Sequence, residues 1–209
     1  MENQVTTILS RLKERFPNAR LLLEFRNPFE LLIATILAAQ ARDEKVNEVT
    51  KELFARFPTP RDLAEAPFEE IAAIVKPLNY ARKKAAFIQE VSRVLVEKFG
   101  GNVPASLEDL VELPGVGRKT ANIVLANAYG IPAIPVDTHV GRVAQRIGLS
   151  QSKTPEDIEE DLMRVIPQEM WIAASHLLGF LGRFICEAKK PRCNACPIVD
   201  LCEYSEKSL

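Results

Sequence analysis

Long apolar runs are missing from this chain: none reaches the roughly 18 to 20 residues a helix needs to cross a bilayer. The opening "MENQVTTILSRLKERF" lacks a basic leader followed by an apolar stretch, so no signal peptide is expected there. A cytoplasmic protein without membrane contact is the expectation. No alternating apolar–polar pattern extends beyond a few residues, no low-complexity linker interrupts the chain, and no long repeat stands out. A strong excess of charge is missing too. The net charge is −1 over 209 residues, which alone does not advertise a nucleic-acid binder. With 47% apolar and 26% charged residues, the chain reads as globular, with core enough for one large domain or two small ones.

What is present is helical. In "NPFELLIATILAAQ", Asn27 is placed to cap a helix, Pro28 takes its first position and Glu30 reaches back. Phe29, Leu31, Leu32, Ile33, Ile36 and Leu37 continue nearly all round this segment, so it should be central and buried. "TPRDLAEA" and "TPEDIEEDL" share a Thr-Pro-x-Asp opening at Thr59 and Thr154, and "SLEDLVEL" sets Ser106 and Asp109 at capping-box spacing. Proline and glycine fall mainly between these segments. The fold class expected is all-α with short connections.

Charge is distributed less evenly than its sum suggests. "KPLNYARKK" carries Lys76, Arg82, Lys83 and Lys84 with no acid, and "RFICEAKKPRC" carries four bases against Glu187. "PEDIEED" opposes them with five acids in seven residues. A charge run is ordinarily a solvated helix face; two basic clusters and a segregated acidic one suggest a bipolar surface.

"LPGVGRKTANIVL" joins two helical segments, "SLEDLVEL" (106–113) and "RKTANIVLANAYG" (118–130), through a glycine-rich turn. Gly115 and Gly117 can take positive φ and let backbone N–H groups around Val116 and Arg118 approach a phosphate. The following helix adds the positive end of its dipole. Such a helix–hairpin–helix grips a nucleic-acid backbone without reading bases. It could also be only a turn. A nucleotide-binding P-loop is excluded, because Arg118 interrupts the needed Gly-Lys pair and the preceding segment is a helix.

Lys119 falls in the first turn of the second helix, where the dipole disfavours a cation. A lysine is ordinarily a solvated charge, but desolvation here would favour the neutral amine, a nucleophile toward an electron-poor sugar carbon. Further on stands "IPVDTHVGRVAQRIG", with Asp137 ahead of His139 and Arg142. Asp137 could cap the helix beginning there. It could equally stabilise positive charge developing on a deoxyribose, or move protons. His176 and Trp171 read as packing residues.

All four cysteines cluster near the end, as Cys-x6-Cys-x2-Cys-x5-Cys at Cys186, Cys193, Cys196 and Cys202. Disulfides would suit a secreted protein, which nothing here indicates. Structural zinc and an iron–sulfur cluster both remain open on spacing alone. Lys189, Lys190 and Arg192, between the first two cysteines, would project from a metal-stapled loop toward phosphates.

Taken together, "LPGVGRKTA", "VDTH" and the cysteine tail resemble the endonuclease III family of DNA glycosylases, over essentially the whole chain. The resemblance implies two helical domains with the active cleft between them. Residues 22–131 would form a six-helix barrel domain carrying the hairpin; residues 1–21 and 132–209 would form an iron–sulfur domain. It implies a [4Fe–4S] cluster on the four cysteines, structural or DNA-associated and not the catalyst of base removal. Lys119 would be the nucleophile and Asp137 the essential carboxylate of a bifunctional glycosylase/AP lyase acting on oxidised pyrimidines. The partner implied is double-stranded DNA with a damaged base or abasic site, bound by a monomer. Gln40 matches the residue that fills the gap left by a flipped base, and His139 lies beside the catalytic carboxylate against the DNA.

The sequence departs from the family pattern at "NYAR" (79–82), where many relatives carry Gly-Leu-Tyr-Asn, so Tyr80 stands in place of a leucine wedge. Adenine-mismatch relatives usually have Glu where this chain has Thr35 and lack the lysine; thymine-mismatch relatives typically have Tyr in its place. A non-catalytic DNA-binding homologue is the remaining alternative, opposed by the presence of both Lys119 and Asp137.

Overall fold

The computed structural model describes residues 2–208, and among these it contains eleven α-helices and no strand. The chain forms two compact units: the segment from Leu22 to Tyr129, and a second made from the residues up to Leu21 together with those from Gly130 onward. Helix α1 (Glu2–Arg15) opens the discontinuous unit. The central unit follows with α2 (Pro28–Leu37), α3 (Asp43–Arg56), α4 (Pro60–Glu65), α5 (Phe68–Val75), α6 (Ala81–Phe99), α7 (Leu107–Val111) and α8 (Arg118–Ala128). The discontinuous unit resumes with α9 (Thr138–Arg146), α10 (Pro155–Val165) and α11 (Trp171–Phe184).

Helix α2 is the axis of the central unit. Asn27 caps it by accepting from the Glu30 amide at 2.9 Å. Every residue from Phe29 to Leu37 is buried, against α3, α6 and α8. Each fully buried Leu or Ile contributes about 1.5–3 kcal/mol. The Glu30 carboxylate, also buried, reaches back one residue beyond the cap: it accepts from the Arg26 amide at 2.8 Å and from the Arg26 guanidinium at 2.6 Å. The helix ends at Leu37 and does not run on to Gln40, because the chain turns there and Gln40 adopts a left-handed φ of 53°.

The Ser/Thr caps form where the sequence places them. Thr59, Ser106 and Thr154 accept from the amides of Asp62, Asp109 and Asp157. "SLEDLVEL" is helical only from Leu107 to Val111.

In the discontinuous unit, Ile8, Leu9 and Leu12 of α1 pack with Val140 and Val143 of α9, Ile158 and Leu162 of α10, and Leu177, Leu178 and Leu181 of α11. Ile198, between the third and fourth cysteines, joins the same core. Helices α9 and α11 cross so closely that a Cβ at Gly182 would lie 2.8 Å from His139 Cβ. Trp171 is a packing residue that donates its indole N–H to the Ile166 carbonyl at 2.9 Å. His176 is half-buried, and burial holds its imidazole pKa below the ordinary value.

Part of each charge cluster is paired or buried. Arg82 pairs with Glu69 at 2.8 Å, and Lys84 is only 4% exposed, its amine without a hydrogen-bond partner among the described residues. In the acidic segment Glu159 is buried, and Asp161 accepts from the hydroxyls of Ser150 and Ser152 at 2.7 Å each. Local pairing and burial absorb charges that the linear sequence leaves apparently free.

Candidate functional site

The hairpin between α7 and α8 is built from two anchors and one open end. Val116 is only 5% exposed and donates its amide to the Leu113 carbonyl at 3.1 Å, so its side chain holds the turn down. Gly115 takes φ +74°, and a Cβ there would lie 3.1 Å from the Phe87 ring. Gly117 is different from the expectation: its φ is −92°, open to any residue, and a Cβ would meet nothing within 4 Å. Its missing side chain leaves the surface bare; it does not relieve the backbone.

Gly117 is the N-cap of α8 and offers no side chain to the first-turn amides, and that turn holds no acid. By contrast α4, α7 and α10 each have a Ser/Thr cap and acids in the first turn. Helix α8 therefore presents first-turn N–H donors that no N-cap side chain accepts, and the positive end of its dipole. Arg118 and Lys119, both exposed, stand in that same turn. The free protein does not desolvate Lys119; only a ligand lying over the turn could.

Asp137 is the N-cap of α9. Its Oδ1 accepts from the amides of His139 at 2.9 Å and Val140 at 2.8 Å. Both amides go to one oxygen, so Oδ2 has no hydrogen-bond partner among the described residues. The cap thus fixes the carboxylate's direction and leaves one oxygen for chemistry. His139 Nδ1 lies 3.3 Å from Arg142 Nη2. Arginine only donates, so Nδ1 is the acceptor and the imidazole proton sits on Nε2. Arg142 also donates to the carbonyls of Gly182 at 2.7 Å and Cys186 at 3.0 Å.

The turn at Gln40 and the segment leading to Tyr80 are joined by one hydrogen bond. Tyr80, at φ 58° and 65% exposed, is the N-cap of α6. The Asn79 amide donates to the Gln40 carbonyl at 3.1 Å, and Gln40, Arg42, Lys45, Pro77 and Asn79 line an open groove. Sequence reading passed over Asn79, whose type has many surface uses and whose partner is far along the chain.

The four cysteines are free, partly buried, and line one cavity of about 360 Å³, part of it open to solvent. Ile147, Leu181, Ile185 and Pro191 form its apolar wall, and Arg192, Tyr204 and Lys207 its rim. Burial raises the Cys196 thiol pKa, and the charges of the other three cysteines push the same way. Burial likewise raises that of Cys202. Four thiolates here need a cationic group among them. Arg146, another residue the sequence did not single out, donates to Cys186 Sγ at 3.3 Å and to the carbonyls of Glu187 and Ala188 at 2.8 and 2.9 Å. Among the described residues no three His, Cys, Asp or Glu side chains are gathered to hold a single metal ion. Four cysteines around one cavity are a donor set that fits a group held by four thiolates. Lys189 and Lys190 are exposed beside it, while Arg192 pairs with Glu187 at 3.5 Å.

Residues 33–168 match the family model described as "HhH-GPD superfamily base excision DNA repair protein". The chain is 44% identical over 205 residues to the endonuclease III of Bacillus subtilis (strain 168), covering 98% of this chain and 94% of that protein. It superposes with a TM-score of 0.91, at 43% identity and over 97% and 95% of the two chains, on an endonuclease III trapped as a covalent intermediate with DNA. A thermostable thymine-DNA glycosylase follows at 25% identity and TM-score 0.85, over 98% and 97% of the two chains. The chain belongs to the HhH-GPD superfamily of base excision DNA repair proteins and, within it, to the endonuclease III family. No helix among the described residues is long and apolar enough to cross a membrane.

Proposed function

We infer that this base excision repair glycosylase and AP lyase removes oxidised pyrimidines from duplex DNA, with Lys119 as nucleophile and Asp137 as the carboxylate that supports it. The observation that carries the reading is the α8 N-terminus: uncapped, free of acid, bearing Lys119 in its first turn. A phosphate drawn to those amides would bring the sugar backbone to the lysine.

The damaged nucleotide turns out of the stack, because C1′ is inaccessible inside it. Lys119 Nζ then bonds to C1′ as the glycosidic bond breaks, and the base leaves with the electron pair and a proton. Asp137, whose Oδ2 the helix cap leaves unengaged, would stabilise the positive charge developing on the sugar, a preorganised electrostatic role. Ring opening gives the Schiff base. Loss of a 2′ proton then expels the 3′ phosphate and nicks the strand, and water releases the lysine. Gln40 would fill the vacated space and Tyr80 would wedge the stack. Gly115, Val116, Gly117 and Arg118 would grip the backbone through the turn, with His139, Lys189, Lys190 and Arg192 giving further contacts.

Cys186, Cys193, Cys196 and Cys202 would hold a [4Fe–4S] cluster, which when bound cross-links the loop covalently and takes no part in base removal. The protein is read as a monomer. The test is borohydride trapping on an abasic and an oxidised-pyrimidine duplex. Wild type should give a covalent adduct; Lys119→Gln should give none while keeping DNA binding. Wild-type adduct levels from the Gln variant would place the nucleophile elsewhere.

A further inference from the structure

Among the described residues two non-glycines take left-handed backbone conformations, Gln40 at φ 53° and Tyr80 at φ 58°. Residues with a Cβ adopt this region rarely, and they stay there only where their surroundings over-determine it. They lie in different connections, Gln40 between α2 and α3 and Tyr80 between α5 and α6. One side chain ties them together. Asn79 Nδ2 donates to the Gln40 carbonyl at 3.1 Å.

Asn79's own placement is fixed from the other side. The Tyr80 carbonyl accepts from the Lys84 amide at 3.0 Å, which starts α6 and sets the backbone leaving Asn79. At position 40 the local chain offers one further restraint, the Ala41 amide donating to the Ala38 carbonyl at 3.1 Å. Both Gln40 and Tyr80 are exposed, so no packing holds either side chain.

We propose that Asn79 is a positioning residue that locks Gln40 and Tyr80 into one preset pair, so that both enter a duplex together when a nucleotide leaves the stack. This rests on the reading of Gln40 and Tyr80 as the inserting side chains. Without the Asn79 amide, Gln40 relaxes toward ordinary φ and its side chain must be ordered anew at each opening. A free single strand has no stack to wedge and no gap to fill, so it does not need the lock.

The experiment uses full-length protein and a duplex carrying a tetrahydrofuran abasic analogue opposite 2-aminopurine, whose fluorescence rises when the base leaves the stack. Chemistry is not needed for this signal, so it stands apart from the trapping test above. Asn79→Ala should lower the opened-to-closed ratio by about three- to tenfold, the value of one hydrogen bond. Strand cleavage should fall by a similar factor on a duplex with a natural abasic site and stay unchanged on the same strand alone. In a background lacking both inserting side chains (Gln40→Ala with Tyr80→Ala), Asn79→Ala should cost nothing more, because the lock then has nothing to position. An equal fall on duplex and single strand, a further loss in that background, or no fluorescence rise with wild type would each overturn the proposal. Failure of Lys119 to form an adduct would instead overturn the catalytic reading alone.

Discussion

The Arg146 guanidinium donates to the Cys186 sulfur at 3.3 Å and to the two carbonyls that follow it in the loop. One side chain from α9 thereby holds both a candidate ligand and the backbone that presents it. Its Cζ also lies 4.4 Å from the Tyr204 ring centroid. With the proposed [4Fe–4S] cluster on the four cysteines, Arg146→Ala should yield protein with lower iron content and faster loss of cluster absorbance under oxidant or chelator. Arg146→Lys should rescue little, since an ammonium cannot reach three acceptors with a rigid fork. Iron and sulfide analysis beside bleaching rates checks this; wild-type retention in Arg146→Ala would disconnect the residue from the cluster.

Asp137→Asn separates capping from chemistry. Asparagine caps a helix about as well as aspartate, so the melting temperature should hardly move. Base removal should slow by about a hundred- to a thousandfold, as when other preorganised electrostatic groups are withdrawn. Single-turnover kinetics and a melting curve together decide it. A large fall in stability with little loss of rate would make the carboxylate a cap only.

Binding to undamaged duplex should weaken steeply with salt despite the near-zero net charge. Lys189→Ala and Lys190→Ala should each flatten the plot of log affinity against log salt by roughly 0.9 if each meets one phosphate. Arg192→Ala should change it less, because its charge is already shared with Glu187. Unchanged slopes for both lysines would turn the loop away from DNA.

Lys84 carries a pH signature. Burial lowers its pKa from the ordinary 10.5, so between the folded value and 10.5 the unfolded chain binds the proton more readily. Stability linked to this group therefore rises with pH through that window, and is lost as pH falls through the folded value. Lys84→Met should flatten this dependence and stabilise the protein by about 1 kcal/mol or more at neutral pH, since an unpartnered buried donor disappears. Chemical denaturation across the alkaline range tests it; a destabilised Met variant would show that the amine has a partner.

The all-α class, the capped helix starts and the burial of α2 were legible in the sequence because each is a local rule acting on neighbouring residues. Asn27, Thr59, Ser106 and Thr154 find partners three residues away. The cysteine cavity was legible for a similar reason, as spacing within one loop. What local rules could not show were the long-range polar ties. Arg146 and Cys186 are forty residues apart, Asn79 and Gln40 thirty-nine. Lys84 was misread as surface charge because α4, α5 and α2 all pack on α6, a fact of tertiary assembly. Gly117 was credited with positive φ from its type, although the turn needs that conformation only at Gly115.

The discontinuous unit has a consequence for synthesis. Helix α1 leaves the ribosome early, but its apolar stripe of Val5, Ile8, Leu9 and Leu12 packs with α11, which is translated more than a hundred and fifty residues later. The central segment is complete well before then, so it can fold while α1 is still unpartnered and exposed to chaperones or proteases. The cysteine loop emerges after α11. A nascent chain that stalls after α8 would hold a finished central unit and an orphan amphipathic helix, a product that quality control can recognise by that one exposed stripe.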